Sequence, residues 1–330
     1  MLTRRILTAG LGLSMAAPAA LAGSVAPMSL STPQTAGPPA TSLEEPLLFV
    51  DASVDEDERM TIEVTINGRG PFRFVVDTGA GRSVLTPGLV EQLALPSGPE
   101  MIIHGIAGSI VSPTAQVALL RAGEARLADG VLPVLPRERV GADGLLGVDI
   151  LDGRNVLMDF KKNQLQIRRS RNFSEINRRG GEATIDAGHR FGRLTLAGTR
   201  IGGTRATAFI DSGGGVSIGN MALARAIAAR RRRSSDFVRP AHLLTADGEV
   251  RLAEFRVVPS IEMGALNLTN VPMAFADVHI FDVWSLKAQP AALLGVDILR
   301  LFARVELDYG DDKVLFRLGE GGASPRVLTA

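Results

Sequence analysis

Phe74-Val75-Val76-Asp77-Thr78-Gly79-Ala80-Gly81-Arg82-Ser83 and Phe209-Ile210-Asp211-Ser212-Gly213-Gly214-Gly215-Val216-Ser217 are two versions of one phrase. In each, an apolar run ends in Asp, a small hydroxyl residue and Gly, and the two aspartates lie 134 positions apart. Downstream, Leu145-Leu146-Gly147-Val148-Asp149-Ile150-Leu151 returns unchanged as Leu293 to Leu299. Each copy leads to an Asp-aromatic pair, Asp159-Phe160 and Asp308-Tyr309. Upstream, Ile66-Asn67-Gly68 and Ile201-Gly202-Gly203 mark turns before the Asp-bearing segments. Four features in one order, twice, amount to a duplication. The second copy is longer by about fourteen residues between its Asp and its Leu-Leu-Gly, an insertion on the scale of a loop.

Composition sets the bounds. A chain of 330 residues is long enough for two domains, and 45% hydrophobic against 22% charged residues allows sizeable cores. The net charge of +1 gives no bulk electrostatic reason to bind nucleic acid. The absence of cysteine excludes thiol catalysis, Cys-ligated zinc and disulfides. The four His, 104, 189, 242 and 279, show no metal-ligand spacing, so neither metal nor cofactor is expected.

The pattern is mostly strand. Met60 to Ile66, Phe72 to Val76, Leu165 to Ile167, Arg193 to Leu196, Val250 to Val258 and Val314 to Phe316 are apolar or alternating, and Gly-rich turns punctuate them. Short helices are predicted over Thr86 to Leu95, capped by Thr86, and over Asn220 to Arg232. The division that follows is a first lobe over 46–170, a crossing over 171–183 and a second lobe over 184–330.

An Asp closing an apolar strand is expensive to bury unless it is hydrogen-bonded or shares its charge. Two such elements about a pseudo-twofold axis would bring Asp77 and Asp211 together, where like charges about 3 Å apart hold one proton between them. The pair is then one acid and one base, able to activate a water against an amide carbonyl. At these residues the chain resembles the pepsin and retropepsin superfamily of aspartic peptidases, in the bacterial retropepsin-like form duplicated within one chain. The resemblance spans roughly residues 47–318. It implies an all-β fold of two barrel-like lobes, Asp77 and Asp211 as the catalytic dyad, and no cofactor. It also implies supporting roles for Thr78 and Ser212, for Gly79 and Gly213, and for Gly147 and Gly295. The second loop departs from the family in its three consecutive glycines, which points to a looser setting for Asp211.

The same resemblance implies hairpin flaps over the substrate. The candidates are His104-Gly105-Ile106-Ala107-Gly108 in the first half and Ala246-Asp247-Gly248 in the second. Two rival readings stand beside the peptidase. Gly215-Val216-Ser217-Ile218-Gly219 fits a serine nucleophile elbow, although Ser83 occupies the equivalent place in the first copy. The fold could also serve as an inactive peptide-binding module. Asp149 and Asp297 are read as structural.

Residues 1–22 carry Arg4-Arg5, a small-residue apolar stretch and Ala20-Leu21-Ala22, the order of a cleavable export signal. Thr3-Arg4-Arg5-Ile6-Leu7 resembles the twin-arginine form, with an ordinary signal, an uncleaved anchor or a disordered tail as the alternatives. Residues 23–45, rich in Pro, Ser, Thr and Ala, read as a flexible leader. An exported, periplasmic or secreted monomer acting on peptides or unfolded proteins is the expectation. The Arg clusters at 168–179 and 230–233 read first as solvated surface, with contact to the cell envelope as the alternative.

Overall fold

The computed structural model describes residues 7–9, 50–51, 53–54, 59–170, 182–230, 239–245, 250–319 and 327–329. The fold is all-β with short helices, and its two lobes repeat one barrel. In the first lobe Val84–Leu85 pairs antiparallel with Gly144–Leu146, which runs parallel to Arg69–Val76. That strand pairs with Met60–Ile66, then come Ser109–Ala122 and Ala125–Pro133. A parallel bridge between Leu85 and Val134 closes the ring. In the second lobe Ile218–Gly219, Ala291–Leu294, Thr207–Ile210, Arg193–Leu196 with Arg200–Ile201, Val250–Met263 and Leu266–Phe275 follow the same order. The parallel pairing of Ile218 with Ala274 closes this ring as Leu85 with Val134 closes the first. Closure leaves no open barrel edge to be shielded.

The turns follow from their residues. Asn67 and Gly68 both have positive φ (51° and 77°), as do Gly202 and Gly203 (56° and 74°). Two consecutive positive φ values are what a two-residue hairpin turn requires, which explains Asn-Gly and Gly-Gly there.

A third sheet joins the lobes. It runs Val50–Asp51, Gln164–Arg169, Arg154–Asp159, Arg304–Asp308, Lys313–Arg317 and the first half of Glu182–Arg190. The two Asp-aromatic hairpins meet at its centre, with Asn155 opposite Asp308 and Asp159 opposite Arg304. Asn155 donates to Asp308 at 3.0 Å, and Arg304 donates to Asp159 at 3.1 Å. These bonds fix the pseudo-twofold relation of the lobes, and one apolar cluster runs from Ile62 and Val76 to Ile210 and Leu294.

The two predicted helices appear as Pro87–Leu93 and Met221–Arg230. Asn220 caps the second, accepting from Leu223 N at 2.9 Å. Thr86 holds the N-cap position of the first without capping it by its side chain, because its hydroxyl donates to Asp143 O at 2.9 Å. Helix His279–Val283 has no counterpart in the sequence reading. Leu7–Ala9 forms a strand parallel to Leu243–Thr245. Among the described residues no helix is long and apolar enough to cross a membrane.

Candidate active site

The two Asp loops lie where the lobes meet. Each Asp follows the buried end of a strand, residues 74–76 or 208–210, whose parallel neighbour is the Leu-Leu segment of the same half. Val75 pairs with Leu145 and Phe209 with Leu293. The ladder continues one step past each strand: Asp77 N donates to Leu146 O and Asp211 N to Leu294 O, both at 2.9 Å. The repeated Leu-Leu-Gly thereby fixes where each carboxylate starts. Glycine follows because an added Cβ at Gly147 would collide with the Arg82 backbone, and one at Gly295 with Gly214 O.

Within each loop the backbone turns back on its own carboxylate. Gly79 N and Ala80 N donate to Asp77 Oδ1 at 2.8 and 3.0 Å. Gly213 N and Gly214 N donate to Asp211 Oδ1, each at 3.1 Å. Across the axis, a Cβ on Gly79 would stand 2.5 Å from Asp211 Oδ1, and one on Gly213 would be closer still to the Asp77 carboxyl. Each glycine therefore faces the opposite aspartate, and the carboxylates meet between them. The triple-glycine loop makes the same two amide contacts as its Ala-containing twin, at 3.1 Å each against 2.8 and 3.0 Å.

Thr78 and Ser212 bind the loops to each other. Thr78 N donates to Ser212 Oγ at 3.1 Å and Ser212 N to Thr78 Oγ1 at 3.0 Å. Their hydroxyls donate onward across the axis, Thr78 to Ile210 O at 2.9 Å and Ser212 to Val76 O at 2.8 Å.

A second pair of ties lies behind the loops. Ser83 Oγ donates to Asp149 Oδ1 at 2.8 Å and accepts from Gly147 N at 3.1 Å. Ser217 Oγ donates to Asp297 Oδ1 at 2.6 Å and accepts from Gly295 N at 2.9 Å. Ser217 is fully buried, and its hydroxyl proton is committed to a carboxylate. It is a structural tie repeated from the first lobe, which removes the serine-nucleophile reading.

Asp77 and Asp211 are 0% and 2% exposed. Burial raises the proton affinity of Asp77 well above that of an ordinary carboxyl, and the neighbouring charge of Asp211 raises it further. Burial also raises Asp211, against the opposing pull of the Gly213 and Gly214 amides and of Arg193. Asp77 Oδ2 is buried without a protein hydrogen-bond partner. The arrangement can hold one proton between two carboxyls and present the other oxygens to a small molecule on the axis.

Three groups near the pair escaped the sequence reading. Arg59 and Arg193, 4% and 1% exposed, both act electrostatically on Asp77, and each stands 18 positions before the Asp of its own half. The buried phenol of Tyr309, whose acidity burial suppresses strongly, also feels Arg193 and Asp77. The repeat Arg59-Met60-Thr61-Ile62 and Arg193-Leu194-Thr195-Leu196 was the available signal.

The hairpin of Ser97–His104 and Ser109–Ala122 carries the first flap candidate at its tip, where Gly105 N donates to Gly108 O at 2.8 Å. The tip reaches the second lobe. His279 N donates to Ile106 O at 2.9 Å, and Ile106 packs into the cluster around Phe209 and Trp284. His104 Nδ1 lies 3.0 Å from His279 Nε2. A cavity of about 480 Å³, lined by Ile106, Ala107, Leu252, Val278, His279 and Asp282 among others, opens beside this contact. The second candidate tip, Ala246, Asp247 and Gly248, lies outside the described residues, although the flanking strands Arg239–Thr245 and Val250–Met263 are paired. Among the described residues no group of three or more His, Asp or Glu could hold a metal ion.

No curated protein matches the chain. A family described as aspartyl protease matches twice, over residues 62–150 and 197–298, one match for each barrel and its Asp loop. With more than half its length matched in two copies, the chain belongs to the retropepsin-like aspartyl protease family as a duplicated member.

Proposed function

We propose that the protein is an aspartic endopeptidase in which Asp77 and Asp211 together activate a water molecule against a peptide bond. The observation that carries this reading is the pair of buried carboxyls of raised proton affinity, each hydrogen-bonded by its own loop and facing the glycine of the other. In the working state the pair holds one proton. The ionised carboxyl takes a proton from water as the oxygen attacks the carbonyl carbon, and the protonated one gives its proton to the carbonyl oxygen. Collapse of the tetrahedral diol passes a proton to the amide nitrogen and breaks the C–N bond. The strand ladder within each lobe and the Thr78–Ser212 bonds between them hold both carboxyls in place, so little reorganisation accompanies the reaction.

Extended peptides or unfolded segments are the proposed substrates, because a strand-like backbone can pair along the tip of the Ser97–Ala122 hairpin. The Gly105–Gly108 turn and its second-lobe partner at 246–248 would act as flaps. Export to the periplasm or beyond follows from residues 1–22 alone. The test is binding of a peptide that carries a tetrahedral hydroxymethine in place of the scissile amide. Wild type is expected to bind it at acid pH about 100-fold or more tighter than the parent peptide. Asp77→Asn is expected to lose that preference. Equal binding of both peptides by folded wild type would contradict the dyad.

A further inference from the structure

We propose that Arg193 is a positioning residue that sets the pH window of the Asp77–Asp211 pair by fixing one buried positive charge on the Gly79 peptide. The inference rests on the dyad reading above and adds the group that tunes it. Gly79 is the residue through which both aspartates can be reached. Its N–H holds Asp77 Oδ1 at 2.8 Å, and its Cα faces the Asp211 carboxyl. Its carbonyl accepts from Arg193 Nε, contributed by the opposite lobe, at 2.5 Å. The guanidinium is fixed on two further sides. Nη1 donates to Phe191 O at 2.7 Å, and the charge lies 5.0 Å from the Trp284 ring centroid. Phe191 stacks on the same Trp284 at 5.6 Å between centroids.

A cation this deeply buried is stable only beside negative charge. The charged and titratable groups that face it are Asp77, Asp211 and Tyr309, with Arg59 acting on Asp77 from the first lobe. Behind Tyr309 stands His189, whose Nδ1 lies 2.6 Å from Asp312 Oδ1. Burial keeps the Tyr309 phenol neutral, so the aspartates supply the countercharge. A pair holding one proton carries one negative charge and balances Arg193, whereas a fully protonated pair leaves the arginine uncompensated. Arg193 therefore favours loss of the first of the two protons, and it opposes the burial that pushes both carboxyls the other way. Arg59, 18 positions before Asp77, donates to Val140 O at 3.1 Å within its own lobe and adds its own positive charge near Asp77.

The test compares wild type, Arg193→Gln and Arg193→Lys by the pH profile of kcat/KM and by ¹³C-NMR titration of the aspartate carboxyls in the full chain. Arg193→Gln keeps a donor for Gly79 O and loses the charge. Both limbs of its profile, and the carboxyl titrations, are expected to move to higher pH, with a several-fold loss of activity on the acid limb. Arg193→Lys is expected to restore the wild-type limbs. Arg193→Met replaces Arg193→Gln should the latter not fold. A charge-free variant that titrates like wild type would overturn the inference. The NMR titration reads out even in protein that cleaves nothing. An inactive wild type would therefore refute the peptidase reading separately from this one.

Discussion

Thr78 and Ser212, 134 residues apart in the chain, each give a backbone N–H to the other's hydroxyl, at 3.1 and 3.0 Å. The reciprocity makes two loops from two barrels one rigid unit, and the position of each aspartate depends on both. Thr78→Val keeps the shape and removes the hydroxyl, leaving Ser212 N and Ile210 O without their partner. Unsatisfied buried groups of this kind cost about 1–3 kcal/mol each. A stability loss of about 2–4 kcal/mol in urea unfolding is expected, together with a fall in kcat of about 100-fold from displaced carboxylates. Thr78→Ser should stay near wild type. Normal stability and turnover in Thr78→Val would show that the clamp is not needed.

Two of the three glycines in the second loop, Gly213 and Gly214, have different roles. Gly213→Ala drives a Cβ into the Asp77 carboxyl and should abolish turnover. Gly214→Ala meets only Asp211 Oδ2 at 3.1 Å, and its counterpart in the first loop, Ala80, already carries a Cβ while donating to Asp77. Gly214→Ala is therefore expected to remain active, with stability within about 1 kcal/mol of wild type. Steady-state kinetics on the two variants decide the matter, and equal damage in both would count against the assigned geometry.

Ser217→Ala distinguishes a tie from a nucleophile. Loss of the hydroxyl removes a partner from the half-buried Asp297 and from the buried Gly295 N. The expected outcome is about 1–3 kcal/mol of destabilisation with cleavage retained. Complete loss of hydrolysis in a folded Ser217→Ala protein would revive a serine mechanism.

The dyad should also mark the stability curve. Burial raises the folded-state proton affinity of Asp77 above the ordinary carboxyl value of 3.8. A group raised in this way contributes stability that is present in full below its unfolded value and is lost as pH rises through its folded value. Wild type should therefore lose stability on moving from acid to neutral pH relative to Asp77→Asn. The variant should be the more stable protein near neutrality, with the difference vanishing below about pH 3.8. Chemical unfolding across pH checks this. A variant that is less stable at every pH would mean that Asp77 is held by favourable bonds that outweigh its burial.

Much of this was legible because the chain states it twice. The apolar run before each Asp, the Leu-Leu-Gly that flanks it and the Asn-Gly and Gly-Gly turns are local signals, and each is repaired by the other copy where one is weak. What sequence could not supply was contact between distant segments. The pairing of Asn155 with Asp308, and hence the shared sheet, depends on how two hairpins meet across the axis. Thr86 looks like a cap in sequence, yet Asp143 O competes successfully for its hydroxyl. Arg59 and Arg193 sat at equal spacing in plain view, but an arginine before an apolar strand reads as surface until its burial is known. Helix His279–Val283 is too short for periodicity to reveal, and it forms where the Ile106 tip docks.

The decisive measurement is hydrolysis of a mixed peptide library by the full chain at about pH 3 to 8, beside Asp211→Asn under the same conditions. Internal cleavage with an acid-side maximum, absent in the folded variant, is the predicted result. Cleavage that survives in Asp211→Asn, or none from folded wild type at any pH, would contradict a water-activating Asp77–Asp211 pair.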